Sequence, residues 1–420
     1  MYTGNTDIMS WLIYILLGLY GMLIIRGALR AKEGLLLPEN TPERIMSNRA
    51  LSYLKLDKII LRLRIHRIDR RFLYMAAFVV LFTFFAAFRK VTVCIGGADA
   101  VNYSKFFYYS NLDVSSYSHL IREPLFVYVC KLLRVFTSNY RVFFALSYGF
   151  VAASYCIFIN KFCDKKGSFA PFVMLMFLYL KAFCTLRTSL AVALILIGLT
   201  YIDKNRKVSL VWIASSVLVH RASILFVLVF FFYAFCHKIV NNLKGKKLAV
   251  AVTAVNLVFI ALARLAQAFI SWTNAFGLLS QTDLYYVLQT RKTPLIAKFP
   301  MYLVQTLLFL AIVFFEKQIK PTKEFKALKT VCVFDFITAP LMLILGIWRA
   351  NEYFFLPRLA MWSIMIPQLE PVFVKLTKGK IKVIWYRAAV FVAFFAWFVF
   401  RIYSEWDDLK IMPYIISFYD

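Results

Sequence analysis

The residues best suited to chemistry in this chain are ionisable side chains that border or interrupt long apolar runs. Such groups normally have a partner or a function, because burying a charge among apolar residues is unfavourable. Guanidinium groups bind phosphate oxygens in bidentate fashion, whereas imidazole and carboxylate groups transfer protons. The pattern therefore favours a phosphate or pyrophosphate beside an acid–base residue. The residues concerned are Arg89, Asp99, Tyr103, Arg122, Glu123, Arg187, His220, Arg221, Arg349, Glu352, Tyr353 and Arg358.

Each of these groups also has a plainer structural explanation. Glu123 precedes Pro124, where a carboxylate could simply stabilise a helix start through the backbone dipole. A lone histidine on an apolar helix, such as His220, is more often a satisfied core residue than a catalyst. Arg187 and Arg221 could extend towards lipid head groups. The sequence leaves both explanations open at each position.

Motifs for metals and nucleotides are missing from the sequence. It contains no HExxH, no paired His and Cys, and no DxD triplet, which gives metal-dependent chemistry little support. It also contains no P-loop and no GxGxxG motif, which argues against a nucleotide as the direct substrate. We therefore expect no cofactor and no metal.

The composition predicts an all-α, polytopic integral membrane protein that forms a single domain over residues 1–420. Hydrophobic residues make up 62% of the chain and the mean hydropathy is +0.71, which only a bilayer can accommodate. The net charge of +29 is spread between apolar runs, which favours anionic lipid over nucleic acid as the partner. The apolar runs predict twelve spans near 8–28, 72–88, 141–160, 169–184, 187–202, 208–219, 222–236, 248–270, 299–315, 330–348, 353–373 and 383–401.

The positions of Lys and Arg predict the orientation of these spans. The loops 29–71, 161–168, 203–207, 237–247, 316–329 and 374–382 carry 30 of the 50 basic residues, and all lie on one side of a twelve-span arrangement. That side should be cytoplasmic, with both termini and the candidate site outside. Two joints stay open, because 169–202 and 208–236 could each be one long helix instead of a pair. The charge bias favours pairs, with turns at Leu186-Arg187 and His220-Arg221.

Three loops should carry further structure. The basic loop 29–71 ends in an amphipathic segment that should lie on the inner leaflet. The outer loop 89–140 contains the stretch PLFVYVCKLLRVFT, which is too short to span and predicts a re-entrant or interfacial helix. Residues 271–298 form another outer loop. Cys94 and Cys130 could both face outside, so a disulfide between them is an open question.

The order of these elements resembles the EpsG family of Wzy-type polysaccharide polymerases. The family pattern of an Arg, a Gly-x-Asp with a Tyr, and then a Glu is matched here by Arg89, 97–99, Tyr103 and Glu123. An Arg-x-Ser-Leu-Ala element is matched by 187–191, a His followed by Ser by His220 and Ser223, and an Arg-x-x-x-Tyr by Arg349 and Tyr353. The closing WDDLKIMPYIISF resembles the family's terminal Pro-Tyr segment. The family pattern does not account for the loop 29–71.

The resemblance implies a GT-C-like glycosyltransferase of the bacterial cytoplasmic membrane. Such an enzyme would transfer a glycan from undecaprenyl pyrophosphate to another lipid-linked repeat unit at the outer face. His220 is the first choice of base, with Glu123 and Asp99 as alternates, and Arg187 completes the catalytic set. The expected substrate-binding residues are Arg89, Tyr103, Arg122, Arg221, Arg349, Glu352, Tyr353 and Arg358. A chain-length regulator protein is a further candidate partner.

Two other classes of protein would share these features. A ligase, or a transferase of single sugars from a lipid carrier, would use the same donor chemistry. A flippase or transporter would instead need ionisable groups near the bilayer midplane, for which Lys181 and Arg264 are the candidates.

Overall fold

The protein folds into helices throughout the part of the chain described by the computed structural model, which covers residues 8–31, 70–93, 95–111, 123–163, 166–275, 295–345 and 350–417. Within these ranges the only β structure is two isolated bridges. The fourteen α-helices are α1 Ile8–Arg30, α2 Arg70–Ala87, α3 Ala100–Tyr109, α4 Pro124–Phe136, α5 Tyr140–Phe162, α6 Leu175–Cys184, α7 Leu186–Tyr201, α8 Arg206–Val219, α9 Ile224–Asn242, α10 Gly245–Ala275, α11 Leu295–Phe315, α12 Lys323–Leu345, α13 Ala350–Leu376 and α14 Val383–Leu409. Short 3₁₀ turns at Ala170–Met174, Arg221–Ser223 and Glu316–Gln318 precede α6, precede α9 and follow α11.

These helices confirm the predicted fold class of an all-helical, polytopic membrane protein. Each of the twelve predicted spans coincides with one helix, and α3 and α4 are the additional short helices of the loop after α2. Among the described residues, six helical segments are both long and apolar enough to cross a membrane: Ile8–Arg30, Arg70–Ala87, Tyr140–Phe162, Arg221–Asn242, Gly245–Phe269 and Val383–Glu405.

Some expectations fall outside the described residues. These are the amphipathic segment and nearly all of the loop 29–71, Cys94, Arg122, Arg349 and most of the loop 271–298. Cys130 is described, and it is a buried free thiol on α4.

Helices α7 and α8 form a closely packed hairpin that brings two candidate residues to the same end. Ser209 Oγ on α8 donates to the carbonyl of Gly198 on α7 over 2.8 Å. A Cβ at Gly198 would lie 2.6 Å from Ile213 Cγ1, so only glycine permits this approach. Because α7 runs away from Arg187 and α8 returns to His220, these two residues lie at the same end of the hairpin.

The chain breaks at both positions where the sequence predicts turns. Between α6 and α7 the break is the single residue Thr185, with φ −118° and ψ 48°. After α8, His220 adopts an extended conformation and a 3₁₀ turn follows. Helix α7 packs along α5 and α8, whereas it meets α6 mainly near the bend. Each break therefore places a polar residue, Arg187 or His220, at a helix end.

The C-terminal segment clamps the loop between α2 and α3. Lys90 N donates to the carbonyl of Ile415 over 2.7 Å, and Gly97 N donates to that of Lys410 over 3.0 Å. The Tyr414 hydroxyl donates to the carbonyl of Phe85 over 2.8 Å. The closing Pro-Tyr segment therefore fixes the position of the loop that leads into α3.

Gly97 is tightly enclosed at this junction. Its φ of +116° is a conformation that side chains rarely adopt, and a Cβ there would overlap the backbone of Phe183 at the end of α6. The loop therefore packs directly against the α6–α7 bend that carries Arg187.

We expect Gly97→Ala to lower the free energy of unfolding by about 1–3 kcal/mol, because the new methyl group must displace backbone. The measurement is the thermal unfolding midpoint of the purified protein in detergent. Gly379→Ala is the matched control, since Gly379 also has a positive φ but no atom lies within 4 Å of its Cβ position. Equal shifts in the two variants would contradict the close packing at Gly97.

Candidate active site

Three separate chain segments meet at the carboxylate of Glu123. Arg187 Nη1, in the first turn of α7, donates to Glu123 Oε2. His220 Nδ1, directly after α8, lies 3.0 Å from Glu123 Oε1, and the backbone N–H of Arg221 donates to the same oxygen over 3.4 Å. We call Glu123, Arg187 and His220 the central triad. Their contacts span 64 and 97 residues of sequence.

Glu123 does not act as a side-chain cap. It occupies the N-cap position of α4, with Pro124 at the first helical position, but its side chain makes no cap hydrogen bond. The carboxylate turns away from the helix that follows it and bonds to α7 and to the turn after α8. The Glu123 side chain therefore joins separate chain segments and makes no capping hydrogen bond.

The electrostatics of the triad keep Glu123 ionised. Burial raises the pKa of Glu123, but the hydrogen bond from His220 and the positive charge of Arg187 outweigh that effect, so the net pKa is lowered from 4.5. One carboxylate thus contacts the Arg187 guanidinium, the backbone N–H of Arg221 and the His220 imidazole.

His220 is oriented with one ring nitrogen held and the other directed elsewhere. Nδ1 faces the carboxylate, so the neutral tautomer that satisfies this contact carries its proton on Nδ1. Nε2 is buried and has no hydrogen-bond partner among the described residues. Arg187 Nε is also buried and has no hydrogen-bond partner among these residues. Buried polar atoms normally have partners, so these two nitrogens point to a ligand.

Tyr103 on α3 forms one wall of the site. The guanidinium carbon of Arg187 lies 6.0 Å from the centre of the Tyr103 ring, and the two side chains also hydrogen-bond. Tyr103 packs edge-on against Phe126 of α4 at 6.2 Å. Asp99 occupies the N-cap position of α3 one turn before Tyr103 and is half-buried. The loop 95–99 thus contributes to the same end of the bundle as the triad.

The start of α13 reaches the α6–α7 bend. Glu352 accepts a hydrogen bond from Thr185 Oγ1 over 3.2 Å and lies 3.8 Å from Lys181 Nζ. Lys181 is also 3.5 Å from Glu405, which pairs with Arg401 on α14. Sequence reasoning missed Thr185, Arg401 and Glu405. The spacing of Arg401 and Glu405, four residues apart in an apolar helix, was the available signal.

Arg358, in α13, lies in a second buried cluster of polar side chains. Its guanidinium bonds to both carboxylate oxygens of Asp335 and to the backbone and side-chain oxygens of Asn351. Gln305 also donates to Asp335, over 2.8 Å. Arg358 is only 2% exposed, and its guanidinium is occupied by these protein partners. Its contacts instead hold the turn that carries Glu352 and Tyr353.

Arg89 is likewise enclosed by protein. Its guanidinium donates to the carbonyls of Ala86 and Gly96 and, over 2.8 Å, to the Tyr148 hydroxyl. It also lies 4.0 Å from the centre of the Phe183 ring. Arg89 is 1% exposed, so it braces the loop after α2 and does not line the triad.

The structure brings some of the candidate residues together and separates others. Glu123, Arg187, His220 and Tyr103 come together, with Arg221 beside them and Glu352 one bend away. Tyr353 is buried against Phe226 at the start of α9, with ring centres 6.4 Å apart. Arg89 and Arg358 serve separate buried clusters, and Arg122 and Arg349 lie outside the described residues. Lys181 belongs to the polar network at the bend, and Arg264 is exposed and bonds to Gln267.

Comparison with protein families gives a match that extends over residues 72–416. The chain belongs to the EpsG family. This is a family of Wzy-like polysaccharide polymerases and exopolysaccharide biosynthesis proteins. Neither the curated proteins nor the solved structures gave a match to the chain.

Membership in the EpsG family confirms the resemblance inferred from the motifs. The matched range contains the whole of the central triad, Tyr103 and the C-terminal residues that bond to the loop between α2 and α3. The loop 29–71, which the family pattern does not account for, lies before it. The motifs that contain Tyr103, Glu123, Arg187 and His220 are scattered in sequence but meet at one end of the helix bundle.

The lowered pKa of Glu123 predicts how its contribution to stability depends on pH. Ionised Glu123 stabilises the folded state fully above its ordinary pKa of 4.5, and this contribution is lost as the pH falls through the lowered value. We expect Glu123→Gln to lower the free energy of unfolding by about 1.5–3 kcal/mol near neutral pH, and by less in acid. Thermal unfolding midpoints of both proteins, measured across the same buffers, test this. A difference that stays constant from neutral to acid pH would contradict the ionised triad.

Proposed function

We propose that this EpsG-family protein is a Wzy-type polymerase. It transfers a growing glycan from undecaprenyl pyrophosphate to a sugar hydroxyl of another lipid-linked repeat unit. The reaction takes place at the outer face of the bacterial cytoplasmic membrane. The observation that carries this proposal is the central triad, in which Glu123 holds Arg187 and His220 together while one nitrogen of each is buried without a partner in the described part of the chain.

His220 is the proposed general base. Its Nε2 accepts the proton of the attacking sugar hydroxyl as the new glycosidic bond forms at the anomeric carbon of the donor. Glu123 fixes the tautomer through Nδ1 and stabilises the imidazolium that results, in the manner of a carboxylate–histidine pair. Glu123 is therefore a positioning residue, and Asp99, on the α3 side of the site, is the alternate base.

Arg187 is the proposed anion-stabilising residue. As the bond between the anomeric carbon and the pyrophosphate oxygen breaks, negative charge grows on the departing pyrophosphate. A well-aimed donor in such a position typically contributes about 3 kcal/mol to transition-state stabilisation. The Arg187 Nε, which has no protein partner among the described residues, is directed towards that task, and Arg221 adds a second positive charge nearby.

The remaining assignments follow from position. Tyr103 stacks on a sugar ring or orders Arg187, and Glu352 and Tyr353 border the site from α13. Arg122, which directly precedes Glu123, and Arg349, in the Arg-x-x-x-Tyr element, add positive charge for the pyrophosphate. In this proposal the enzyme needs no cofactor and no metal, and a chain-length regulator protein is a partner in the membrane.

The direct test is product formation by the purified protein in detergent with a synthetic polyprenyl-pyrophosphate oligosaccharide. We expect longer glycans without nucleotide sugar and with unchanged yield in the presence of a metal chelator. Proton transfer by a general base contributes about 10²–10⁴-fold to the rate, and stabilisation of developing charge contributes about 10²–10³-fold. His220→Ala and Arg187→Ala should therefore each lower turnover by at least two orders of magnitude.

Matched controls separate catalysis from folding. His237→Ala removes another partly buried histidine that bonds to Thr330, about 20 Å along α9 from the site. Arg264→Ala removes an exposed arginine on α10. Both controls should retain activity. Full turnover in Arg187→Ala and His220→Ala would overturn the site, and transfer to an acceptor that carries no lipid pyrophosphate would indicate a ligase.

A further inference from the structure

An apolar groove runs from the central triad along four helices. It encloses about 340 Å³ and is lined by residues of α4, α5, α7 and α8, with Ser147 as its single hydroxyl. On α4, α7 and α8, a residue that lines the groove is close in sequence to a member of the triad. Leu125 follows Glu123 by two residues, Leu190 lies one helical turn after Arg187 on the same face, and Val219 directly precedes His220.

The groove is open on its outer side. Val129 of α4 is 41% exposed and Leu146 of α5 is 52% exposed, whereas Leu194 and Val219 at its base are buried. A cavity of about 150 Å³ holds one benzene ring, so this volume suits roughly fourteen carbon atoms, or nearly three isoprene units. The groove thus accepts the first part of a branched hydrocarbon chain that continues into the surrounding lipid.

We propose that this groove binds the pyrophosphate-proximal isoprene units of the polyprenyl carrier. The inference rests on the proposed function, and it assigns the lipid part of the substrate to residues that nothing in the triad itself requires. A polyprenyl pyrophosphate has an anionic head joined directly to an apolar chain. The protein presents the same two surfaces in the same order. Arg187 and the Nε2 of His220 form the polar part, and the apolar groove lies beside them.

The groove recognises a prenyl chain by its shape. A prenyl chain that enters it leaves one apolar surrounding for another, so burial from water gives little net gain. Binding strength therefore comes from close packing against branched and aromatic side chains, as between helices in a membrane. Filling the groove should consequently weaken tail binding without affecting the head.

The test compares substitutions on two helices, each with a control on the same helix. Leu146→Trp and Val129→Trp fill the groove from its open side, where a larger residue need not disturb the core. Ile157→Trp on α5 and Val135→Trp on α4 are the controls, since both residues are exposed, at 46% and 73%, and lie outside the groove. Binding of farnesyl pyrophosphate and of inorganic pyrophosphate to the full chain in detergent is the readout.

We expect both groove variants to bind farnesyl pyrophosphate about tenfold more weakly than wild type and to bind inorganic pyrophosphate equally well, while both controls match wild type. Three results would overturn the inference: equal affinity of the wild type for the two probes, no difference between groove variants and controls, or equal displacement of farnesyl pyrophosphate by phosphatidylglycerol. The last would identify the groove as a site for ordinary lipid chains.

Turnover distinguishes this inference from the proposed function. If wild type lengthens lipid-linked glycans and Leu146→Trp does so with unchanged KM, the groove assignment fails and the polymerase stands. If wild type shows tail-dependent binding that Leu146→Trp weakens but never lengthens a glycan, the polymerase fails and the groove stands.

Discussion

A carboxylate that is 5% exposed at one end of an apolar helix bundle stays ionised only if neighbouring groups compensate its charge, and Glu123 obtains that compensation from two other chain segments. The requirement is mutual. Arg187 needs an anion beside it, and His220 needs an acceptor that fixes its orientation. These contacts tie the start of α4, the start of α7 and the end of α8 into one arrangement. Removing any member leaves another buried polar group without its partner.

The rest of the fold serves to keep those three segments in place. The Gly198 contact brings α8 against α7, so that Arg187 and His220 lie at one end of the hairpin. The loop containing Gly97 packs between the α6–α7 bend and the C-terminal segment, which is itself bonded to residues near the end of α2. Glu352 bonds Thr185 at the bend. Polar contacts in an apolar bundle thus hold the positions that hydrophobic packing alone would leave interchangeable.

Much of this architecture could be predicted from the sequence. Apolar runs bounded by charge located twelve of the fourteen helices in the described residues, because span length and hydropathy are local properties of the chain. The breaks near Arg187 and His220 were also accessible, since charge bias disfavoured continuous helices there. The roles of individual arginines could not be predicted from the sequence. Arg89, Arg187 and Arg358 are each an arginine beside an apolar run in the sequence. Only three-dimensional contacts show that Arg89 bonds to Tyr148, that Arg358 bonds to Asp335 and that Arg187 bonds to Glu123.

The central claim is that Glu123 acts through His220 instead of independently of it, and a double-mutant cycle on turnover tests this most directly. Single variants Glu123→Gln and His220→Gln are compared with the double variant, using the lipid-pyrophosphate oligosaccharide as substrate. If the carboxylate only orients and stabilises the imidazole, the double variant should be no slower than His220→Gln alone. Losses that multiply in the double variant would show that the two residues work separately, and would contradict the account.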